Sequence, residues 1–235
     1  MVIIGIVGKN DVGKSLFCTV GLRDKLDNAL YVVCDGAELT LSLKPFEDKV
    51  THKQFLSSVN DLSKLANNVK ACKQKIIILD HLGGLVNRVL AESNLDENNV
   101  NFNFQLGALV RKRVALALQE LIHNCRQQKK ILVIICPLDH TSTDDLSKAS
   151  VSFDTRTAQD VFFNECDEII HLKRKNYRDA RDIEELFKNI EYKFSYPHET
   201  QIPLKDKANA KHNPYTEATL HGLLTQIYHK SSNLE

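Results

Sequence analysis

The 235-residue sequence contains no tryptophan, one methionine, five prolines and nine glycines. Its 31 lysines and arginines nearly balance its 30 aspartates and glutamates, so the formal net charge is +1. This balance excludes a uniformly basic nucleic-acid-binding coat, although a local basic patch is compatible with it. No apolar run approaches the roughly 20 residues of a membrane-spanning helix. We therefore expect a globular protein without a membrane span.

Six cysteines are present, and none has the C-x-x-C spacing of a zinc finger. Four of them lie within apolar strand or helix patterns, namely Cys18, Cys34, Cys125 and Cys136. These positions are typical of buried, reduced thiols in the cytoplasm, which is the location we expect.

Short apolar runs alternate with amphipathic helical patterns along the chain. Buried strands are predicted at residues 2–7, 30–34, 75–80, 131–136 and 168–172, and a half-exposed antiparallel strand at 190–196. Helices are predicted at residues 14–26, 52–70, 106–125, 155–165 and 220–228. The alternation predicts a three-layer α/β fold with a mostly parallel sheet and antiparallel C-terminal strands. No linker divides the chain, so we expect residues 1–235 to form one domain.

One segment matches the phosphate-loop pattern G-x-x-x-x-G-K-[ST] between a predicted strand and a predicted helix. It reads Gly8-Lys9-Asn10-Asp11-Val12-Gly13-Lys14-Ser15. Its glycines allow successive backbone N–H groups to face an anion. Lys14 would reach the β- and γ-phosphates, and the Ser15 hydroxyl would bind Mg²⁺. The motif therefore predicts a site for ATP and Mg²⁺.

Acidic residues follow two of the predicted strands at the same edge of the sheet. Asp80 ends the third strand, where a carboxylate would lie beside the loop and hold the metal through water. Asp35 and Glu38 follow the second strand, and either would be placed to orient or deprotonate an attacking water.

Several blocks in this order resemble the core of RecA-type ATPases, and most nearly the small phage-encoded, recombinase-like nucleotide-binding proteins. The blocks are residues 8–15, 35–38, 76–85, the long helix before 131–136, and Leu204-Lys205-Asp206-Lys207. This resemblance implies a P-loop NTPase fold and ATP hydrolysis coupled to single-stranded DNA binding in recombination, repair or replication. It also implies a homo-oligomer, in the host cytoplasm if the protein is viral.

The same resemblance implies roles for individual residues. Glu38 would activate water, and residues 138–155 would face DNA. Lys205 and Lys207 would reach the γ-phosphate bound by a neighbouring subunit and stabilise the charge that develops there. Cys136-Pro137-Leu138 departs from the family pattern, since a polar sensor usually stands at that position, and Asp139 or His140 could substitute for it.

The strongest basic cluster follows the strand predicted at 168–172. It contains Lys173, Arg174, Lys175, Arg178 and Arg181, with Tyr177 among them. Cations of this kind bind phosphates, and an aromatic ring stacks on a base, so the cluster is the candidate nucleic-acid site.

Three other functions remain open. Lys9 also fits the deviant Walker A loop of dimeric partition- and conjugation-type ATPases. A nucleotide kinase would use the arginines after residue 173 as a lid, although no acceptor motif is visible. A nucleotide-binding module without turnover would account for the missing sensor.

Overall fold

The computed structural model describes residues 1–34, 38–39, 41–85, 100–138, 156–175, 182–194, 204–214 and 217–228. The strands are β1 (Ile3–Gly8), β2 (Ala29–Val33), β3 (Lys53–Phe55), β4 (Ile76–Asp80), β5 (Ile131–Pro137), β6 (Glu168–Arg174), β7 (Ile190–Lys193) and β8 (Lys205–Asp206). The helices are α1 (Lys14–Cys18), α2 (Val59–Asn68), α3 (Val100–Gln127), α4 (Arg156–Glu165), α5 (Ile183–Asn189) and α6 (Leu220–Tyr228).

All eight strands belong to one sheet with the order β3-β2-β4-β5-β1-β6-β7, and β8 pairs with β6. The strands from β3 to β6 in this order run parallel, whereas β7 and β8 are antiparallel to β6. The predicted mostly parallel α/β sheet with late antiparallel strands is therefore confirmed. β5 lies between β1 and β4, which separates the two strands that carry the candidate site residues.

Apolar side chains cover both faces of this sheet. One core contains residues of α2, α3 and α4, and the other contains residues of α1, α5 and α6. Because successive side chains of a strand point to opposite faces, β1 contributes Ile3 and Val7 to the first core and Ile4 and Ile6 to the second. The result is a helix layer on each side of the sheet.

The helix predicted at 52–70 was too long at its start. Residues Lys53–Phe55 instead form β3, which pairs with β2 at the edge of the sheet. The helix begins after Ser58, whose side chain accepts a hydrogen bond from the Asp61 N–H and so caps α2. A three-residue strand shows too little alternation to be distinguished from the apolar pattern that follows it.

The helix predicted at 14–26 is also interrupted. α1 ends at Cys18, and a 3₁₀ segment follows over Val20–Asn28. The Thr19 hydroxyl donates to the carbonyl of Ser15 at 2.6 Å, and Arg23 has a positive φ of 56°. Arg23 is held in this conformation by hydrogen bonds from its guanidinium to Glu184 and Glu217.

The remaining predicted elements agree with the structure, apart from residues that lie outside the described ranges. All six cysteines lie within those ranges as free thiols, and Cys18, Cys34, Cys125 and Cys136 are buried as predicted. No described helix is long and apolar enough to cross a membrane.

Candidate functional site

The carboxyl ends of the parallel strands β1, β4, β5 and β6 meet at one edge of the sheet, here called the carboxyl edge. A cavity of about 540 Å³ opens there. Its lining comprises Asn10, Asp11, Gly13, Lys14, Ser15, Leu16, Ser42, Asp80, His81, Ile135, Pro137, Arg174 and Leu186. Its volume is in the range of small-molecule binding sites. The cavity thus brings together the predicted loop and the predicted acid.

Residues 8–15, here called the glycine loop, connect β1 to α1. Gly13 has a φ of 93°, a left-handed conformation that strains any other residue, and it precedes the first residue of α1. A Cβ atom on Gly8 would lie 2.7 Å from the carbonyl oxygen of Leu172 on β6. Both glycines are therefore required by the path of this loop between β1, β6 and α1.

Lys14 lies at the base of the cavity. Its Nζ donates to the carbonyl oxygens of Gly8 at 2.9 Å and Lys9 at 2.6 Å. Burial lowers the pKa of Lys14 from 10.5 to about 8, although the nearby Asp80 opposes this shift. A desolvated ammonium held by neutral carbonyls interacts strongly with an anion that enters the cavity.

Asp80 faces the same cavity from the end of β4 and is only 3% exposed. The Ser15 hydroxyl donates to its Oδ2 at 2.6 Å, and the fully buried Tyr31 hydroxyl donates to the same oxygen. Ser15 and Asp80 therefore lie side by side, as the predicted metal site requires.

The donor set fits Mg²⁺ because a hydroxyl and a carboxylate are hard oxygen ligands. No group of three or more histidine, cysteine, aspartate or glutamate residues in the described ranges is arranged to hold a metal. Mg²⁺ needs no such group, since it commonly takes one or two protein oxygens together with substrate phosphates and water.

The position between the glycine loop and Asp80 is apolar. β5 ends there, with Pro137 on the cavity wall and the Leu138 N–H donating to the Gly8 carbonyl at 3.0 Å. Cys136 is buried, and burial raises the pKa of its thiol well above the usual value. No polar side chain of residues 136–138 therefore lines the cavity, and the alternative sensor residues Asp139 and His140 lie outside the described residues.

The predicted water-activating acid is not in the cavity lining. The Glu38 side chain is 75% exposed and forms an ion pair with Lys44 at 2.9 Å. A hydrogen bond from Lys44 lowers the pKa of this carboxyl group. From the same region, Ser42 lines the cavity instead. The alternative acid, Asp35, lies outside the described residues.

Lys205 and Lys207 lie at the opposite, amino edge of the sheet. β8 pairs with the start of β6, so the two lysines are about 10 to 16 Å along the strand direction from the glycine loop of the same chain. Lys205 Nζ donates to the carbonyls of Asn164 and Cys166, and Lys207 Nζ pairs with Asp167 at 2.8 Å. Neither lysine belongs to the cavity of its own chain.

The structure divides the predicted nucleic-acid cluster. Arg174 lines the cavity, whereas Lys175 is exposed and its Nζ lies 3.8 Å from Glu191. Lys173 is half-buried and pairs in register with Glu191. Tyr177, Arg178 and Arg181 lie outside the described residues, as do residues 139–155 of the predicted DNA-facing segment.

Several cavity or near-cavity residues were not predicted for this site, among them Tyr31, Ser42, His81, Arg174 and Leu186. Tyr31 carried a usable signal, because a hydroxyl within the apolar strand Ala29–Val33 must find a partner when it is buried. Ser42 and Leu186 had no such signal in the sequence, since the elements that contain them, the 3₁₀ segment Leu41–Phe46 and α5, were not predicted.

Comparisons with known proteins leave these contacts as the basis for any functional assignment. No family model matches the chain, and no curated protein matches its sequence.

Proposed function

We propose that this protein binds Mg-ATP at the carboxyl edge and hydrolyses it, as a P-loop NTPase of the RecA type. The observation that carries the proposal is the contact of Ser15 with Asp80 at 2.6 Å beside the half-buried Lys14, in one cavity. A cation, a hydroxyl and a carboxylate in this arrangement suit a phosphate chain and its metal.

Different residues of the chain bind the phosphates and the metal ion. Lys14 exchanges its two carbonyl partners for phosphate oxygens, which are better acceptors because they are charged. Ser15 and Asp80 would hold Mg²⁺, which when bound neutralises phosphate charge. Tyr31 fixes the Asp80 carboxylate from behind through its hydrogen bond.

A second cavity of about 350 Å³ supports a nucleotide over free phosphate as the ligand. It shares Leu16, Arg174 and Leu186 with the first cavity, and Pro45 and Phe46 form another part of its wall. A mostly apolar recess that continues a phosphate site suits a nucleobase.

Hydrolysis requires a group that orients or deprotonates water, and the resemblance assigns this role to Glu38. To act, Glu38 must leave Lys44 and enter the cavity. The proposed reaction therefore depends on a rearrangement of this acid when the nucleotide binds.

A second candidate function is nucleotide binding without rapid turnover. It is favoured by the apolar end of β5 and by the position of Glu38 outside the cavity. Such a module would use the bound nucleotide to set its conformation or assembly.

The resemblance also supports a head-to-tail homo-oligomer that binds single-stranded DNA. Lys205 and Lys207 lie at the edge opposite the glycine loop, so they could contact a nucleotide bound by a neighbouring subunit but not the one bound by their own.

If Lys205 acts in trans, Lys205→Ala should impair turnover, and mixing it with Lys14→Ala should restore part of the activity. No recovery in the mixture would argue against this role.

Steady-state ATP hydrolysis, measured with and without single-stranded DNA over a range of salt concentrations, tests the proposal. We expect Mg²⁺-dependent turnover that DNA stimulates at low salt and that Lys14→Ala abolishes. Tight nucleotide binding with no turnover would select the second candidate. Absence of both binding and turnover would overturn the proposal.

A further inference from the structure

Arg174 and the glycine loop lie on the same face of the sheet. Side chains alternate along β6, and Ile170 and Leu172 belong to the core that also contains Val12 and Leu16. Arg174 has the same parity as these two residues, and its Nε is buried. The residue is therefore directed by the strand toward the glycine loop and α1.

Arg174 and Asp80 both line the first cavity, from strands that are three places apart in the sheet. Asp80 ends β4 and Arg174 ends β6, and β5 and β1 lie between these strands. At about 4.8 Å between neighbouring strands, the two residues are roughly 14 Å apart across the sheet. The register places Asp80 level with Ile170, so Arg174 also lies about 13 Å further along the strand direction. A nucleotide whose metal-bearing phosphates lie near Asp80 extends toward Arg174 with its other end.

The second cavity adjoins the first at Arg174. Arg174, Leu16 and Leu186 line both cavities, and Asp182 is the acidic residue in the lining of the second. Asp182 is engaged as the N-cap of α5, where it accepts a hydrogen bond from the Glu185 N–H at 2.8 Å. The guanidinium thus occupies the junction between a phosphate site and an apolar recess.

We infer that Arg174 binds the part of the nucleotide that ATP and ADP share, from the α-phosphate to the sugar and base, within its own subunit. This inference rests on the proposed function. A planar guanidinium is suited to this junction because it donates to phosphate oxygens along its edge and stacks on a base with its face. Arg174 is then a nucleotide-binding residue instead of a member of the nucleic-acid cluster.

This role differs measurably from two others that an arginine has in such proteins. An arginine that stabilises the transition state acts at the γ-phosphate, and its loss lowers kcat. An arginine that binds nucleic acid leaves nucleotide affinity unchanged when no nucleic acid is present. Loss of an arginine that binds ATP and ADP equally weakens both affinities and leaves kcat unchanged.

Equilibrium titration of ATP and ADP into Arg174→Ala and Arg174→Lys, without DNA, tests the inference. For Arg174→Ala we expect the dissociation constants of both nucleotides to rise by similar factors, about 10- to 100-fold. Arg174→Lys keeps the charge but loses the planar guanidinium, so its dissociation constants should lie between those of the wild type and the alanine variant. Lys188→Ala, which removes an exposed cation from the nearby α5, is the matched control and should bind like the wild type.

The outcomes separate this inference from the proposed function. If the wild type binds neither nucleotide, the proposed function is wrong and the inference goes with it. If the wild type binds both and Arg174→Ala binds them equally well, only the role of Arg174 is wrong. A loss of ATP affinity without a loss of ADP affinity would place Arg174 at the γ-phosphate and would also overturn the inference. Thermal unfolding of each variant shows whether it is folded before it is titrated.

Discussion

The two edges of the sheet both carry lysines, but the lysines lie in different surroundings. At the carboxyl edge, Lys14 donates to the carbonyls of Gly8 and Lys9. At the amino edge, Lys207 pairs with Asp167, and Arg126 pairs with Glu165 and Asp167. Lys207 and Arg126 are therefore compensated by acids of the chain, whereas Lys14 donates to neutral carbonyls beside an open cavity. Carbonyls also accept from Lys205 and Lys130 at the amino edge, so what sets Lys14 apart is its place in the cavity lining.

This difference indicates where a ligand contributes most energy. An exposed ion pair changes little when a solvent anion approaches, because it is already compensated and screened. A desolvated cation gains a full charge-assisted interaction from an entering phosphate. The contrast predicts that substitutions at the carboxyl edge change ligand binding and that those at the amino edge change stability.

The largest expected effect is that of Lys14→Ala. It should weaken ATP binding by about 100-fold, since it removes a charge-assisted interaction with phosphate from a half-buried site. Lys207→Ala should leave the dissociation constant of the isolated chain within about twofold and lower stability by less than about 1 kcal/mol. Fluorescence titration with a labelled ATP analogue and urea unfolding measure the two effects. If Lys14→Ala and Lys207→Ala lost ATP affinity equally, the proposed difference between the two edges would be wrong.

Tyr31→Phe tests the support of Asp80 by the hydroxyl behind it. Removal of that hydroxyl frees the carboxylate to rotate, so the Mg²⁺ concentration needed for half-maximal ATP binding should rise about tenfold. Affinity for ATP without Mg²⁺ should stay near the wild-type value, because the ring itself remains in the core. A Mg²⁺ requirement identical to that of the wild type would show that Tyr31 serves packing alone.

The depressed pKa of Lys14 predicts a dependence of ATP binding on pH. In the free protein Lys14 loses its proton above about pH 8, whereas a bound phosphate requires the ammonium form. Affinity should therefore fall by about tenfold per pH unit above 8, with one proton taken up on binding at pH 9. Calorimetry in buffers of different ionisation enthalpy measures this uptake. Uptake unchanged between pH 7 and pH 9 would contradict a lowered pKa.

The last prediction concerns stability alone and lies at the amino edge, at Glu168. This residue is 1% exposed and faces Asp206 in the β6–β8 pair, and burial raises its pKa from 4.5 to about 7. The folded state thus keeps a proton that the unfolded state has released, and stability declines as pH rises from about 4.5 through 7.

Glu168→Gln removes this titration and should raise the free energy of unfolding at pH 8 by on the order of 1–2 kcal/mol. At pH 5 the variant and the wild type should unfold at similar urea concentrations. Denaturant unfolding at the two pH values measures the difference, and nucleotide affinity should not change at either pH. A variant that is less stable than the wild type at pH 8 would show that the Glu168 carboxylate is compensated.

Most of the sheet could be predicted from local pattern. Continuous apolar runs such as Ile76–Asp80 are typical of strands covered on both faces, and the long stripe of α3 is typical of a packed helix. The short elements β3, β8 and α5 could not be predicted in this way, because their residues owe their conformation to pairing and packing with distant strands.

The candidate site was predictable in part for a related reason. The glycine loop and Asp80 carry a sequence pattern whose spacing follows from the chemistry of phosphate and metal. The position of Arg174 depends on the parity of β6 and on the neighbour of β1 in the sheet, neither of which a linear pattern contains. The same limit placed Glu38 in a site whose lining, in this structure, does not include it.

The most direct test of the central claim is calorimetric titration of the wild-type chain with a non-hydrolysable ATP analogue, with and without Mg²⁺. Our account predicts one nucleotide per chain, an affinity at least about tenfold weaker without Mg²⁺, and an affinity of Lys14→Ala about 100-fold weaker than that of the wild type. Binding that is indifferent to both Mg²⁺ and Lys14, or no binding to the wild type, would contradict it.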